Sequence, residues 1–413
     1  MTLHPISIGE NLCNEKWFAL RTTAIFDHCK WDVQCGDHSV LAAFPVFLEP
    51  GTARDLDGMA EALSREALAA EEEMLRRPEL QDLLNLPHAI RKTLRECPYA
   101  HSPANELRVM RFDFHYTTEG WLISEVNSDV PGGFIEASGW SALFAREWPD
   151  ASAPVSPSEI YAHALCEAVG PNGLVALVHA TAYSDDRQVM QHLARCLSRL
   201  GLRTCLLSPS HLRWIGGRAE ICSSFASGCP DAIVRFFPAE WLPNLPRENS
   251  WKPYFQESQT ALSNPGSAIA LQSKRFPLVW DELRTDLSTW RKLLPETRDP
   301  SGINASVDDS WVLKPALGRV GEGIGIGGIT PPTQFQKIVR EARRHPREWV
   351  VQRRFDILPL ITESGGMYPC IGVFTIGGKA AGFYGRIAKQ PIVNQDAQDV
   401  AVLVHPNPDR KSS

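Results

Sequence analysis

The sequence predicts a mixed α/β protein, α+β in overall character, in which antiparallel and parallel strands occur together. Residues 111–127 alternate apolar and polar side chains on both sides of a turn, which is the pattern of an antiparallel hairpin. Residues 173–237 place a helix between short apolar strands, which indicates a parallel sheet with right-handed crossovers. Further short strands follow after residue 310.

The bulk properties describe a globular protein of more than one domain. At 413 residues the chain is too long for one ordinary core, and 43% hydrophobic and 22% charged residues are typical values. A formal charge of −6 argues against a surface that coats nucleic acid. No apolar run approaches the roughly 20 residues that span a bilayer, and the N-terminus lacks a signal-peptide pattern. The ten cysteines have no metal-type or redox-type spacing. We expect a cytoplasmic protein with reduced thiols and with no nucleic-acid or membrane partner.

The order of elements divides the chain into four regions and a tail. Residues 1–105 are irregular apart from one helix, 106–150 hold the hairpin and a helix, 151–245 carry the parallel pattern, 246–405 add further strands, and 406–413 form a flexible tail. The helices are predicted at about Asp55–Arg77, from near Phe134, at about Asp185–Leu200 and from about Arg275. The strands are predicted at Gly173–His179, Arg203–Leu207, Asp231–Phe237, Trp311–Lys314, Trp349–Gln352, Tyr368–Thr375 and Gly382–Ile387.

The hairpin carries the strongest functional signal. A three-residue loop at Thr118–Gly120, with Gly120 in the left-handed conformation, places Asp113 opposite Glu125 and Arg111 opposite Asn127. Two carboxylates paired across strands repel each other unless a positive charge lies between them, and oxygen ligands of this kind suit magnesium. A slipped register, in which the polar face is merely solvated, is the alternative. The opposite face is predicted to carry Phe112, Phe114, Leu122 and Val126.

A glycine-rich segment provides the second signal. A strand ends at Lys314, glycines follow, and an apolar strand resumes at Ile324. The segment is not a Walker loop, because it lacks the Gly-Lys-Ser/Thr ending and no helix follows. A flexible loop between two strands can instead fold over a triphosphate with its backbone N–H groups, while the lysine ammonium lies near the phosphates. A glycine-rich hairpin with a surface lysine is the alternative. The loop glycines are Gly318, Gly321 and Gly323.

Taken together, these segments resemble the synthetase domain of glutathionylspermidine synthase and its relatives, an ATP-grasp family of acid–amine ligases. The resemblance runs in order from about Arg108 to Val404. It rests on Arg111-Phe-Asp113, Glu125-Val-Asn127-Ser-Asp129, Lys274 in Ser-Lys-Arg-Phe-Pro, Lys314-Pro-Ala-Leu-Gly-Arg, Gln352, and Phe374-Thr-Ile-Gly-Gly ahead of Gly385-Arg386. The combination is specific, although no single piece is.

The resemblance implies an ATP-grasp fold in circularly rearranged order, with residues 151–245 as a parallel, preATP-grasp-like α/β domain and 246–405 as nucleotide-binding subdomains. It implies that Asp113, Glu125 and Asn127 bind magnesium ions on the ATP phosphates, and that Arg111 and Arg386 lie near the reacting groups. The residues implied to bind ATP are Lys274, Lys314, Gly318, Gly321, Gly323 and, in the strand that borders adenine, Gln352.

The activity implied is amide formation between a carboxylate and an amine through an acylphosphate, with ATP and Mg²⁺ as cofactors and ADP and phosphate as products. Since an acylphosphate must be kept from water, closing loops are expected at 238–253, 316–325 and 386–394. A catalytically silent ATP-binding scaffold or sensor, and a small-molecule kinase, are the alternatives. Retention of the whole residue set argues against the silent binder, whereas the kinase would use the same residues.

The substrate-facing positions depart from the glutathione-using relatives. Residues 1–105 leave no room for the N-terminal amidase that such enzymes often carry. Val130 and Gly132 stand where the glutathione enzyme has hydroxyl side chains, which argues against glutathione as the acid. Asp185 and Asp186 occupy the place of an acidic pair near the family's substrates, where they would attract a polyamine-like or amino-acid-like amine. Acidic residues are also ordinary at a helix N-terminus, so capping is the alternative.

Overall fold

The computed structural model describes residues 4–96, 107–256, 258–303, 308–318, 323–362 and 365–406. Its α-helices are α1 (Asn14–His28), α2 (Pro50–Arg76), α3 (Pro78–Gln81), α4 (His88–Glu96), α5 (Ser141–Ala145), α6 (Pro157–Val169), α7 (Ser184–Arg199), α8 (Ile269–Gln272), α9 (Ser288–Leu293) and α10 (Pro332–Arg344). A π-helix spans Glu136–Trp140, and 3₁₀ turns lie at Pro209–His211, Ala239–Asn244, Lys252–Phe255, Gly266–Ala268, Phe276–Glu282 and Pro346–Glu348.

The strands before residue 200 are β1 (Ile6–Ile8), β2 (Gln34–Cys35), β3 (His38–Ser39), β4 (Leu41–Leu48), β5 (Val109–Thr117), β6 (Gly120–Asn127) and β7 (Leu174–His179). Those that follow are β8 (Arg203–Leu207), β9 (Leu212–Ile215), β10 (Arg218–Cys222), β11 (Ser227–Gly228), β12 (Ala232–Phe236), β13 (Ala261–Ser263), β14 (Thr297–Arg298), β15 (Trp311–Pro315), β16 (Gly325–Ile326), β17 (Trp349–Arg353), β18 (Leu360–Thr362), β19 (Gly365–Ile376), β20 (Lys379–Ala388) and β21 (Gln398–Val404).

A large, mostly antiparallel sheet forms the centre of the molecule. Its strands run in the order β1-β4-β21-β20-β19-β5-β6, and β18 pairs with β19. The β4–β21 pair is parallel, so a strand from residues 41–48 lies beside one from residues 398–404. The first hundred residues therefore contribute strands to this sheet, where the sequence analysis expected irregular chain around one helix.

Helix α2 covers one face of the large sheet. Its small and apolar side chains recur every three or four residues and are buried at Leu56, Ala60, Leu63, Ala67 and Ala70. They pack against β19 and β20. The predicted helix is confirmed and begins earlier, at Pro50, because proline fits the first helical turn. This face also buries the apolar side of the β5–β6 hairpin.

The parallel α/β region agrees closely with its sequence pattern. Strands β13, β12, β7 and β8 form an all-parallel sheet in that order, and α7 connects β7 to β8. Each predicted boundary lies within one residue of the observed one. The inner strand β7 is buried almost throughout and has the continuous apolar run expected of such a strand, whereas the edge strand β8 is only partly buried. The helix predicted from about Arg275 is instead a 3₁₀ helix at Phe276–Glu282.

A small antiparallel sheet carries the glycine-rich segment. Its order is β14-β17-β15-β16, and α10 packs beside it through Ile338, Val339 and Ala342. The strand expected to resume after the glycines is β16. Each cysteine in the described ranges is a free thiol, and Cys97 lies outside them. Among the described helices, none is both long and apolar enough to cross a bilayer.

Two buried histidines make the stability sensitive to acid. Burial, reinforced by His28 beside it, lowers the pKa of His192 to about 3, and burial together with Lys314 lowers the pKa of His115 to about 4. The unfolded chain protonates both near pH 6.5. Because the unfolded state then binds more protons, the stability held above pH 6.5 falls as the pH decreases toward these folded values.

We expect a loss on the order of 2 kcal/mol for each of these histidines between pH 7 and pH 5. Urea unfolding of the native protein and of His192→Gln at the two pH values measures it, with His88→Gln as an accessible control. A pH dependence that is the same in the native protein and in His192→Gln would contradict the assignment.

Candidate functional site

One cavity of about 830 Å³ collects side chains from distant parts of the chain. Its walls come from the β5–β6 hairpin, from β15 and β17, from β19 and β20, from the start of α7, and from residues 30–40. All three segments predicted to close over a substrate contribute to the lining, through Pro238, Ile324 and Arg386. The cavity therefore joins the regions that the sequence analysis singled out separately.

The polar face of the hairpin has the predicted register. Asp113 is paired with Glu125, and Arg111 with Asn127. Arg111 holds Asp113 through two hydrogen bonds, from Nε to Oδ1 at 2.7 Å and from Nη2 to Oδ2 at 2.9 Å. Its third nitrogen, Nη1, donates to the Gly132 carbonyl at 2.6 Å, and Asn127 Nδ2 donates to Asp113 Oδ2 at 3.1 Å. Asp113 thus has a cation of its own, which offsets its repulsion by the carboxylate across the strand pair.

The route from the turn to this register differs from the prediction. Thr117 pairs with Gly120, so only two residues lie outside the strands, and Gly120 has a φ of +97°. The extra residue sits further along, where the register shifts between Asp113 and Phe114. The predicted apolar face is therefore wrong at one position, because Ile123 fills the core and Leu122 does not.

Glu125 receives its counter-charge from another element. Lys274, just after α8, places Nζ 3.0 Å from Glu125 Oε2 and donates to the Gly318 carbonyl at 2.9 Å. Burial disfavours the charged carboxyl, but Lys274, Lys314 and Arg111 outweigh it and lower the pKa of Glu125 to about 2. The lysine thus connects the carboxylate face to the start of the glycine-rich segment.

Lys314 projects from β15 toward the same carboxylate. Its ammonium donates to Gln352 Oε1 at 2.7 Å and to the Ser124 carbonyl at 3.0 Å. Burial and the nearby Lys274 lower its pKa to about 8, against the opposing attraction of Glu125. Gln352 donates in turn to Thr297 Oγ1 at 3.1 Å, so its amide orientation is fixed. Added negative charge would find a partly desolvated ammonium here.

Arg386 lies on β20, on another wall. Its Nη2 donates to the carbonyls of Asn394 and Ala397, both at 2.9 Å, and its Nε is 3.7 Å from Asp399 Oδ1. Tyr384, two residues earlier, donates its hydroxyl proton to the same Asp399 oxygen at 2.6 Å. The Arg111 guanidinium lies over the Tyr384 ring, 4.8 Å from its centroid. Tyr384 and Asp399 therefore connect the two arginines.

The remaining predicted residues are distributed as follows. Asp185 and Asp186 lie in the first turn of α7 and line the cavity. Gly318 accepts from Lys274, and Gly323 has a φ of +72°. Gly321 lies outside the described residues. The predicted residues that line the cavity are Arg111, Asp113, Glu125, Asn127, Asp185, Asp186, Lys314, Gln352 and Arg386.

The oxygen ligands of the hairpin supply only part of a binding site for a hard cation. Within the described ranges, no three His, Cys, Asp or Glu side chains are grouped so as to hold a metal ion. Asp113 and Glu125, with the Asn127 amide oxygen, offer two carboxylates and one neutral oxygen. Magnesium is usually bound by one or two carboxylates plus substrate phosphates, so this set fits magnesium that arrives with a nucleotide.

Sequence reasoning missed a second polar cluster in the cavity. Lys30, Asp32, Glu136 and Asp399 all line it, and Lys30 Nζ lies 2.8 Å from Asp32 Oδ1 and 3.0 Å from Asp399 Oδ2. These residues stand in unrelated segments without a shared spacing. The only local signal was the charged Lys30 and Asp32 flanking Trp31.

Comparison with known proteins relates the chain to a family and its fold to solved structures. The family model described as glutathionylspermidine synthase preATP-grasp matches residues 42–405. The solved structure of a glutathione synthetase like-effector from Globodera pallida, in its apo form, has a TM-score of 0.63 and 13% identity, covering 94% of this chain and 96% of that chain. A putative gamma-glutamylcysteine synthetase from Methylobacillus flagellatus has a TM-score of 0.43 and 13% identity, covering 82% of this chain and 88% of that chain. At 13% identity the likeness to the Globodera pallida protein concerns the fold alone. None of the curated proteins matches the chain.

Proposed function

Because the chain belongs to the glutathionylspermidine synthase family, we propose that it is an ATP- and Mg²⁺-dependent ligase that joins a carboxylic acid to an amine. The family and the fold indicate an ATP-grasp-like ligase of the glutathione synthetase type. The finer proposal is that an acylphosphate forms, that ADP and phosphate are released, and that the ATP-grasp elements follow in circularly rearranged order. We further propose that residues 246–405 bind the nucleotide beside a preATP-grasp-like domain at 151–245.

One observation carries the proposal. The Asp113–Glu125 pair is set directly across two strands, and each carboxylate is held by a separate cation, Arg111 or Lys274. Such a face is costly as a purely structural device, because buried like charges need counter-charges from elsewhere. It is well suited to bringing metal-bound phosphates against a carboxylate substrate.

The chain's own residues supply distinct parts of the chemistry. A substrate carboxylate oxygen attacks the terminal phosphorus of ATP, the bond to ADP breaks, and an acylphosphate forms. Lys314 and Lys274 offset negative charge on the phosphate oxygens, and Gln352 keeps Lys314 in place. Magnesium, held by Asp113, Glu125 and Asn127, would neutralise further charge on the transferred group.

In the second half-reaction, the amine nitrogen attacks the acyl carbon, phosphate leaves, and the nitrogen loses a proton. Arg111 and Arg386 are proposed to lie near the reacting groups, where their guanidinium charges favour the departing phosphate. Both arginines stay charged, although burial disfavours the charge. Asp113 raises the pKa of Arg111. Tyr384 and Asp399 raise the pKa of Arg386. Segments 238–253, 316–325 and 386–394 would exclude water from the acylphosphate.

ATP turnover with magnesium against panels of acids and amines tests this function. We expect ADP release that depends on both substrates, with an amide product detected by mass spectrometry. ADP release with a phosphorylated acid and no amide would indicate a small-molecule kinase. Tight ATP binding without turnover across the panels would indicate a silent binder, and either result would overturn the ligase.

Gly372 makes room for the Arg111–Asp113 pair. It is paired with Asp113 in the sheet, and a Cβ atom at this glycine would lie 2.8 Å from Arg111 Cδ and 3.0 Å from Asp113 Oδ1. Gly372→Ala should therefore displace the arginine and lower turnover by about tenfold or more, since small misplacements at a reacting centre have large effects. Steady-state kinetics measure it, with Gly58→Ala as a control at an open position. Unchanged kcat in Gly372→Ala would argue against a role for this pair.

Asp185 and Asp186 are proposed to attract a cationic amine, such as a polyamine or an amino-acid-like amine. Both line the cavity at the N-terminal end of α7. The double variant Asp185→Asn/Asp186→Asn should raise KM for the amine several-fold and leave KM for ATP unchanged, because the residues act on one substrate. Unchanged apparent affinity for every accepted amine would leave capping of α7 as their role.

A further inference from the structure

A lysine of this chain occupies a cage of carboxylates inside the cavity. Lys30 is 2% exposed, and its Nζ lies 2.8 Å from Asp32 Oδ1, 3.0 Å from Asp399 Oδ2 and in contact with the Glu136 carboxylate. Glu136 and Asp399 are themselves buried, whereas Asp32 is partly exposed. We call Asp32, Glu136 and Asp399 the carboxylate cage. It contains an ammonium group held by three carboxylates, and each of the four residues lines the cavity.

The lysine is held in the cage by its own backbone segment. Helix α1 is followed by Cys29 in the left-handed conformation, with a φ of +64°, and Lys30 N donates to the Ala24 carbonyl at 2.9 Å. The next two amides, of Trp31 and Asp32, both donate to Gln188 Oε1 on α7, at 2.6 and 3.2 Å. The segment is therefore fixed from both sides.

The lysine stays charged in this position. Burial opposes protonation, but Asp399, Glu136 and Asp32 outweigh it and raise the pKa of Lys30 well above its usual range. Without Lys30, Asp399 would keep only the more distant Arg386 as a described cation, 3.7 Å away, and Glu136 would lose the cation of its described salt bridge, so the cage favours an ammonium-like partner. Any protonated primary amine of similar size would meet the same requirement.

The cage has two origins in the sequence. Glu136 and Asp399 lie within the residues matched by the family model, whereas Lys30 and Asp32 precede residue 42, where the match begins. The matched part therefore presents two buried carboxylates to the cavity, and the preceding segment delivers the cation that fills them. The ammonium therefore comes from a residue outside the matched range.

We propose that Lys30 is a specificity-determining residue, whose ammonium fills the carboxylate cage and so excludes substrates that would place a second ammonium group there. The amine substrate would then react through its nucleophilic nitrogen with the acylphosphate, and it would place no second ammonium group in the cage. This substrate preference rests on the proposed ligase function. The occupancy of the cage does not.

Binding of simple amines to Lys30→Ala tests the proposal directly. Calorimetric titration at constant ionic strength, without ATP, should give saturable binding of n-butylamine and of 1,4-diaminobutane to the variant. The native protein should bind them at least about tenfold more weakly. Lys16→Ala, which removes an exposed lysine from helix α1 ahead of Lys30, should behave like the native protein. In Lys30→Ala/Asp32→Asn the acquired binding should weaken, because one cage carboxylate is gone.

Two results would overturn the proposal. The first is a folded Lys30→Ala protein, judged by its melting transition, that takes up neither amine. The second is native protein that binds 1,4-diaminobutane with an affinity lowered by Asp32→Asn, because the cage would then be open. If Lys30→Ala does not fold, the charge-balanced variant Lys30→Ala/Glu136→Gln replaces it. Saturable amine binding by that variant supports the proposal, and no binding overturns it.

Kinetic measurements distinguish a failure of the Lys30 proposal from a failure of the proposed ligase function. If the native protein is a ligase, Lys30→Ala should gain at least about tenfold in kcat/KM for diamines relative to monoamines. An unchanged ratio in an active variant that binds n-butylamine would overturn the specificity role. If the native protein turns over no ATP, the ligase proposal fails, while the titrations still decide whether Lys30 fills the cage.

Discussion

Glu125→Gln is expected to reduce ATP-dependent product formation by at least about 100-fold while the protein remains folded. The substitution keeps the size of the side chain but removes the negative charge that faces Lys274 at 3.0 Å. A glutamine would be a weaker magnesium ligand, and Lys274 would keep only the Gly318 carbonyl as a close partner among its described contacts. Asp113→Asn should act in the same direction, because Arg111 would lose its bidentate carboxylate partner.

Steady-state kinetics over a range of magnesium concentrations measure the effect. Glu119→Gln is the matched control, since this exposed residue lies at the turn of the same hairpin. It should leave kcat and KM within about twofold of the native values. A melting temperature close to that of the native protein shows that the fold is retained. Full activity in Glu125→Gln would refute the assignment of the hairpin as the metal-binding face.

Asp129→Ala is expected to destabilise the protein by about 3–5 kcal/mol. Asp129 Oδ1 accepts from Arg235 Nη2 at 2.6 Å, and the side chains of both residues are fully buried. Its Oδ2 accepts from the Ala239 amide at 3.1 Å. Removing the carboxylate leaves a buried guanidinium without its counter-charge. Among its described contacts, Arg235 then keeps hydrogen bonds to backbone carbonyls alone, such as that of Asn264.

Chemical denaturation gives the free energy of unfolding, with the exposed Asp150→Ala as a control that should change it by no more than about 0.5 kcal/mol. The double variant Asp129→Leu/Arg235→Met should recover part of the loss, because it removes both charges. A loss below about 1 kcal/mol in Asp129→Ala would mean that water or local rearrangement compensates Arg235.

The Asp129–Arg235 ion pair also influences the candidate site. Gln272 Oε1 accepts from the amides of Ser128 and Asp129, at 2.9 and 3.1 Å, and these residues directly follow Asn127. The exit of strand β6 is thus fixed to the end of β12 and to α8. A loosened Asp129 should also lower activity, although it lies outside the cavity lining.

Local patterns predicted the elements well where one physical rule acts alone. Alternation and a three-residue turn at Thr118–Gly120 predicted the Asp113–Glu125 pairing correctly, although the turn is shorter, and short apolar runs predicted β7, β8 and β12. The bulge beside Asp113 could not be foreseen, since moving the extra residue from the turn into the strand leaves the same pairing at the polar end. The roles of the site residues themselves remain predictions.

The carboxylate cage illustrates a different limit. Lys30 and Asp399 meet through the parallel pairing of β4 with β21 and through the contact of Gln188 with residues 31 and 32. The sequence around Lys30 does not indicate a contact with a residue as distant in the chain as Asp399. Glu136 lies in a π-helix, a rare conformation that ordinary helical periodicity does not reveal.

The β4–β21 pair also constrains how this chain can fold during its synthesis. Strand β4 can pair with β1 early, but it has no partner on its inner edge until β21 has left the ribosome, which at roughly 5–20 residues per second takes tens of seconds. In that interval β4 presents an unpaired apolar edge, which is prone to association with other chains. The contact order of the sheet is high, and high contact order slows folding. Nascent chains that stop before residue 398 should therefore depend on chaperones to stay in solution.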